Sequence, residues 1–174
     1  MRKIIFLDID NVLNCRTTKE KIPVSGYLGI ENRLVKILRR ITDETDAKIV
    51  LTSTWKEGWH EDYAKCKNWV KYLRNELKKE DLEILDITPE EKHWSNRGVS
   101  IKEWLAKNKT DEYVIIDDIL FAEFIEFDLI KHFVKTNPKT GITEENAEKA
   151  IEILNGHLYE RTKEELEADA WQKE

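Results

Sequence analysis

The sequence predicts an α/β fold, a Rossmann-like three-layer sandwich in which a central parallel sheet carries helices on both faces. Two observations lead there. Short apolar runs rich in β-branched and aromatic residues recur along the chain, and helical periodicities fill the intervals between them. The first run, Lys3 to Leu7, is apolar without alternation, as expected of a strand buried on both faces. Lys48 to Leu51 and Tyr113 to Ile116 repeat that character, and Leu82 to Ile87 and Lys131 to Val134 are weaker strand candidates.

The intervals read as helices. Ile30, Leu34, Ile37/Leu38 and Ile41 recur at helical spacing. Trp59, Tyr63, Cys66, Val70, Leu73 and Leu77 alternate steps of four and three, which predicts one long helix. Gly98, Ile101 and Leu105, with Trp104 beside them, form a shorter stripe. Ala147, Ala150/Ile151 and Leu154 form another, closed by Asn155-Gly156. Thr88-Pro89-Glu90-Glu91 and Thr162-Lys163-Glu164-Glu165 both read as capping boxes at helix starts, the second opening a short charged helix that ends near Trp171. The least regular stretch, Asn14 to Gly29, is a long loop beside the first strand.

At 174 residues the chain suits one compact domain, taken as residues 1–156, followed by a charged helical extension over 157–174. Hydrophobic residues at 40% supply a core, and charged residues at 37% cover it. The net charge of −6 disfavours non-specific binding to polyanions. No apolar run exceeds four residues, against the ~20 a membrane span requires. Two cysteines, Cys15 and Cys66, make no disulfide framework, so a cytoplasmic location is expected.

In an open parallel sheet, ligands bind beyond the carboxyl ends of the strands. Asp8-Ile9-Asp10 follows the first run, Thr52-Ser53-Thr54 follows the second, and Asp117-Asp118 follows Ile116. One Asp after a strand is ordinary turn chemistry. Acids in pairs at two strand ends are not, because crowded carboxylates repel unless protons or a cation neutralise them. Oxygen donors of this kind suit a hard ion, Mg²⁺ before Ca²⁺, and no histidine stands at these ends to favour zinc. A response-regulator receiver also clusters aspartates, but its acidic pair follows the first strand and its lone Asp the third, unlike this chain.

These residues carry a resemblance. Asp8-Ile9-Asp10-Asn11-Val12-Leu13 resembles the first motif of the haloacid dehalogenase (HAD) superfamily, D-x-D-x-[TV]-L. Thr52 resembles its second motif and Asp117-Asp118 its acidic fourth, over residues 3 to about 155. The stretches Leu51 to Lys56, Asn96 to Leu105 and Thr136 to Thr143 further resemble a small branch of the superfamily associated with RNA-repair-type proteins. The resemblance implies a phosphatase working through an aspartyl-phosphate. Asp8 would be the nucleophile and Asp10 the general acid and then base. Thr52, with Ser53 as second choice, would bind the phosphoryl oxygens. Arg97 at a helix start, with Lys102 as runner-up, would neutralise them. Asp8, the Asp10 carbonyl, Asp117 and Asp118 would hold Mg²⁺. Asn11 stands where the family usually has glycine, and Asn is the next best residue at positive φ. The alternative reading is a non-catalytic HAD-fold binding or regulatory domain.

Several residues outside these motifs draw attention. Tryptophans interleave with Lys56, Lys65, Lys67, Lys71, Lys78 and Lys79, a pattern shared with nucleic-acid stacking surfaces, although helix packing accounts better for Trp59. Trp55, directly after the second motif, is a candidate to line the substrate pocket. Neither Asn14 to Lys48 nor Trp55 to Asn96 leaves the ~60 residues an independently packed cap needs. The expected site is therefore open, roofed by the 14–29 loop and the Trp55 to Trp59 turn. An open site suits a large phosphorylated substrate such as a nucleic-acid end or a phosphoprotein, with a nucleotide or small phosphoester as the alternative.

Overall fold

The computed structural model describes residues 1–91, 93 and 96–170. Its centre is a five-stranded, all-parallel sheet of order β3-β2-β1-β4-β5. The strands are β1 (Lys3–Leu7), β2 (Lys48–Leu51), β3 (Ile84–Ile87), β4 (Glu112–Asp117) and β5 (Phe133–Lys135). The lack of alternation in β1 has the predicted cause. Ile5 and Leu7 enter the core on one face of the sheet while Ile4 and Phe6 enter the core on the other. All four side chains are fully buried.

Helices cover both faces. On one side lie α1 (Asn32–Thr45), α2 (Asn68–Lys78) and α5 (Glu144–Leu154), contributing Leu34, Leu38, Leu73, Leu77, Ala147 and Ala150 to the first core. On the other lie α3 (Arg97–Lys107) and the short α4 (Ala122–Glu126), contributing Ile101, Trp104 and Phe124. Phe6 meets Trp104 edge to face at 5.4 Å. Among the described residues there is no large cap. Among the described residues, no helix is long and apolar enough to cross a membrane.

Two helix expectations fail for local reasons. The Trp59 to Leu77 stripe is not one helix: 3-10 turns at Thr54–Gly58 and Tyr63–Lys65 precede α2. Trp59, Cys66 and Lys67 are extended, the Asp62 side chain caps the second turn, and the His60 ring accepts from Asp62 N. Local side-chain acceptors thus outcompete the i to i−4 ladder although the apolar spacing is helical. Thr88 to Glu91 starts no helix either. Its Thr88 hydroxyl, Pro89 carbonyl and Glu91 carboxylate instead surround the buried Lys56 ammonium, at 2.8, 2.9 and 3.0 Å.

The other terminal box holds. Thr162 N donates to Glu165 and Glu165 N to Thr162 Oγ1, opening α6 (Lys163–Ala170); Trp171 lies outside the described residues. Of the weaker strand candidates, β3 begins two residues late, and Ile130–His132 forms a 3-10 turn before β5. Cys15 and Cys66 are both buried free thiols.

The loop after β5 braces the loop after β1. Thr136 Oγ1 donates to Asn11 O at 2.8 Å, Arg16 N to Pro138 O at 2.8 Å and Ile142 N to Val12 O at 2.9 Å. This closeness requires Gly141, whose φ is +70° and where a Cβ would lie 2.7 Å from Leu34 Cδ1 and 2.9 Å from Val12 O. Gly141→Ala combines left-handed strain with a clash against backbone, so a loss of about 2 kcal/mol or more is expected. Calorimetry should then show Tm lower by about 4–8 °C. An unchanged Tm would refute the bracing role.

Candidate active site

Register brings the chemistry together. Leu7 is level with Leu51 on one side and Ile116 on the other, so Asp8, Thr52 and Asp117 share the next rung at the carboxyl edge. Asp8 N donates to Ile116 O and Thr52 N to Leu7 O, extending the ladder by one step and fixing where those side chains start. Asp118 follows in the β4 loop. One carboxylate oxygen from each of Asp8, Asp117 and Asp118 lies within 4.8 Å of the others.

Asp8 and Asp117 are buried, and burial of the charged forms raises both pKa values, that of Asp117 well above the ordinary carboxylate range. Arg97 opposes the shift. Its Nη1 lies 3.0 Å from Asp8 Oδ1 and 2.6 Å from Asp117 Oδ2, and the residue is itself only 6% exposed. Burial works against its charge, but Asp117 and Asp8 outweigh that and leave its pKa raised. Asp118 is also shifted up by burial, offset by the Asn11 amide, which donates to Asp118 Oδ2 at 3.0 Å.

The turn after β1 is built from asparagines. Asn11 has φ +59°, as its place in the motif leads one to expect. Asn14 accepts from Asn11 N at 2.8 Å and donates to Asp10 Oδ1 at 3.0 Å. The second oxygen of Asp10 accepts from Trp55 Nε1 at 3.0 Å. Asp10 is thereby aimed away from the three-carboxylate cluster and stays exposed, so its side chain is not a member of that cluster.

Thr52 and Ser53 separate cleanly. Ser53 Oγ caps the 3-10 turn by accepting from Trp55 N. Thr52 Oγ1 is fully buried and, among the described residues, has no hydrogen-bond partner. Lys102 is not brought in. It stands on the exposed face of α3 with its ammonium 4.6 Å from the Phe127 ring and pairs with none of the four aspartates. The α3 N-terminus is not an open anion seat either, since Gly98 N and Val99 N donate to Glu123 Oε2 at 2.8 and 3.3 Å.

Sequence reasoning passed over Lys56, Glu91 and Asn14 as site components. Glu91 accepts from Lys56 and Ser100 and lies 3.6 Å from Arg97 Nε, so cation and anion alternate from Lys56 through Glu91 and Arg97 to Asp8 and Asp117. Burial lowers the Lys56 pKa, with Glu91 as the main opposing influence. The available signal was position: Lys56 is four residues after Thr52, and Glu91 follows the next strand end.

The charge balance tests for a metal. Four carboxylates (Asp8, Asp117, Asp118, Glu91) face two cations (Lys56, Arg97), so full ionisation would leave an excess of two negative charges in a largely buried cluster, in line with the raised pKa values of Asp8, Asp117 and Asp118. All-oxygen donors with that deficit fit one hard divalent cation.

Removing the central cation should expose this balance. Arg97→Met leaves Asp8 and Asp117 buried against each other, and a loss of about 3–5 kcal/mol is expected in metal-free buffer. Denaturant unfolding measures it, and a loss below about 1 kcal/mol would mean Arg97 does not hold the pair.

Residues 4–147 match the sequence model of the HAD domain in Swiss Army Knife RNA repair proteins. No curated protein and no solved structure gives a significant match. The matched span runs from β1 into α5 and takes in every strand end that supplies the cluster. With paired acids after β1 and β4, a hydroxyl after β2 and a basic residue opening α3, the chain belongs to the haloacid dehalogenase superfamily, in the family of HAD domains of Swiss Army Knife RNA repair proteins, and its function is of the HAD hydrolase type.

Proposed function

We propose that the protein is a Mg²⁺-dependent phosphomonoesterase that forms an aspartyl-phosphate on Asp8 and acts on phosphorylated nucleic-acid ends. The observation that carries this reading is the meeting of Asp8, Asp117 and Asp118 around Arg97, with the unpartnered Thr52 hydroxyl on the same rung. The capless edge and the family's RNA-repair setting support a large substrate. Residues 1–156 form the catalytic unit and 157–174 an extension, and the two free thiols suit a reducing cytoplasm.

In the mechanism, an Asp8 oxygen attacks phosphorus, and the ester P–O bond breaks as the departing oxygen takes a proton from Asp10. Asp10, now ionised, removes a proton from water, whose oxygen attacks the phosphoryl group on Asp8. Inorganic phosphate leaves and the Asp8 carboxylate is restored. Asn14 and Trp55 hold one oxygen of Asp10 each, fixing the rotamer that both proton transfers require. Thr52 donates its free hydroxyl to a phosphoryl oxygen, and Arg97 keeps positive charge beside the oxygens that gather it. Asp8, Asp117, Asp118 and the Asp10 carbonyl would hold Mg²⁺, which would supply further charge neutralisation.

Asp8→Asn keeps the side-chain shape but removes the attacking charge. Turnover of an aryl phosphate is expected to fall by at least ~10³-fold with an unchanged circular dichroism spectrum. Near-normal turnover would eliminate the covalent route and favour a non-catalytic binding domain. Metal binding has a readout without activity: Mg²⁺ should raise Tm of the wild type, and Asp118→Asn should abolish the rise. A Tm indifferent to Mg²⁺ and to chelation would remove the metal from the proposal.

A further inference from the structure

The groove beside Asp10 is not explained by phosphoryl chemistry. It holds about 530 Å³ and is walled by Tyr27 and Leu28 of the 14–29 loop, by Trp55 and Glu57 of the 3-10 turn, by Trp69 of α2, and by Asp10 itself. The size is that of a site for a small organic moiety. Its aromatic walls are held in place. Trp69 Nε1 donates to Trp55 O at 3.1 Å and Trp55 Nε1 to Asp10 Oδ2 at 3.0 Å, so both indole N–H groups are spent on neighbours; Trp55 is otherwise buried, and Trp69 is 37% exposed. Tyr27 is 76% exposed, an aromatic ring left in water at the rim. An antiparallel bridge between Lys21 and Leu28 and the Ile22 N to Tyr27 O bond present it there.

We propose that this groove receives the leaving group's flat, uncharged ring, which in a nucleic-acid end is the terminal base. Three features select that occupant. The groove is continuous with Asp10, the residue that hands a proton to the leaving oxygen, so whatever that oxygen is attached to must lie on this side. The charged residues that line it, Asp10 and Glu57, are both acidic and none of its walls is basic. A phosphodiester chain is repelled along this path, whereas a neutral ring is not. Aromatic stacking tolerates any base, so Tyr27 and Trp69 would discriminate ring from no ring more than one base from another, with Ser25 and Thr54 the other polar groups of the lining. This inference rests on the phosphomonoesterase reading of the same site.

The test compares a nucleoside 5′-monophosphate with ribose 5-phosphate, which differ only by the base, in wild type, Tyr27→Ala and Tyr27→Phe. Wild type is expected to favour the nucleotide by about tenfold or more in kcat/KM. Tyr27→Ala should shrink that ratio at least about fivefold, chiefly through the nucleotide's KM, and Tyr27→Phe should keep it within about twofold. An end-phosphorylated oligonucleotide lacking only its terminal base should show the same penalty as ribose 5-phosphate. Equal handling of nucleotide and ribose 5-phosphate by wild type would overturn the groove assignment while leaving the phosphatase standing. So would a Tyr27→Ala defect of equal size on both substrates. If wild type turns over none of these esters, the catalytic reading falls and the groove assignment with it.

Discussion

Like charge confined at one edge of the sheet is the constraint around which the rest of the molecule is arranged. Parallel register places Asp8 and Asp117 on adjacent strands at the same height, and their burial would be prohibitive without Arg97 between them. Much that looks incidental serves that placement. Arg97 must enter from the first residue of α3, so α3 must dock where it does. Its own start is secured by Glu123 from α4, and Gly98 has no Cβ because one would stand 2.7 Å from Glu123 Cβ. Glu91 then restrains Arg97 from behind, and Lys56 balances Glu91.

The architecture was legible because burial on both faces leaves an unmistakable mark on short strands. Residues 3–7 and 48–51 were read to the residue, and β4 extends the predicted 113–116 run by one residue at each end. Failures arose where side chains compete with backbone. The Trp59 to Leu77 spacing is helical, yet His60 and Asp62 take the local donors and break the segment. Thr88 to Glu91, expected to open a helix, instead supplies acceptors to a lysine 32 residues away. Periodicity reports which residues face the core, and it is silent on which hydrogen bonds win.

The same divide runs through the site. Strand ends announce themselves, so position alone puts Asp8, Thr52, Asp117 and Asp118 at the edge where the structure has them. Arg97 and Lys102 could not be ranked from sequence, because only packing shows that one is buried between carboxylates and the other rests on Phe127. Lys56 was seen only as one of several lysines near tryptophans. Its separation from the others is a matter of burial, since Lys65, Lys67, Lys78 and Lys79 are exposed. The stretch 136–143, singled out by resemblance, turns out to be the brace behind the Asp8 turn.

The central position of β1 has a consequence in time. Asp8 rides on the strand flanked by β2 and β4, and its amide belongs to the sheet ladder, so its exchange with solvent deuterium requires the whole sheet to open. The 14–29 roof is anchored differently, by the Lys21–Leu28 bridge at its tip and by the Tyr72 hydroxyl accepting from Ile30 N at its root. Neither of these bonds is part of the sheet ladder. Asp8 is thus tied into the sheet, whereas the loop beside it is tied at its tip to itself and at its root to α2.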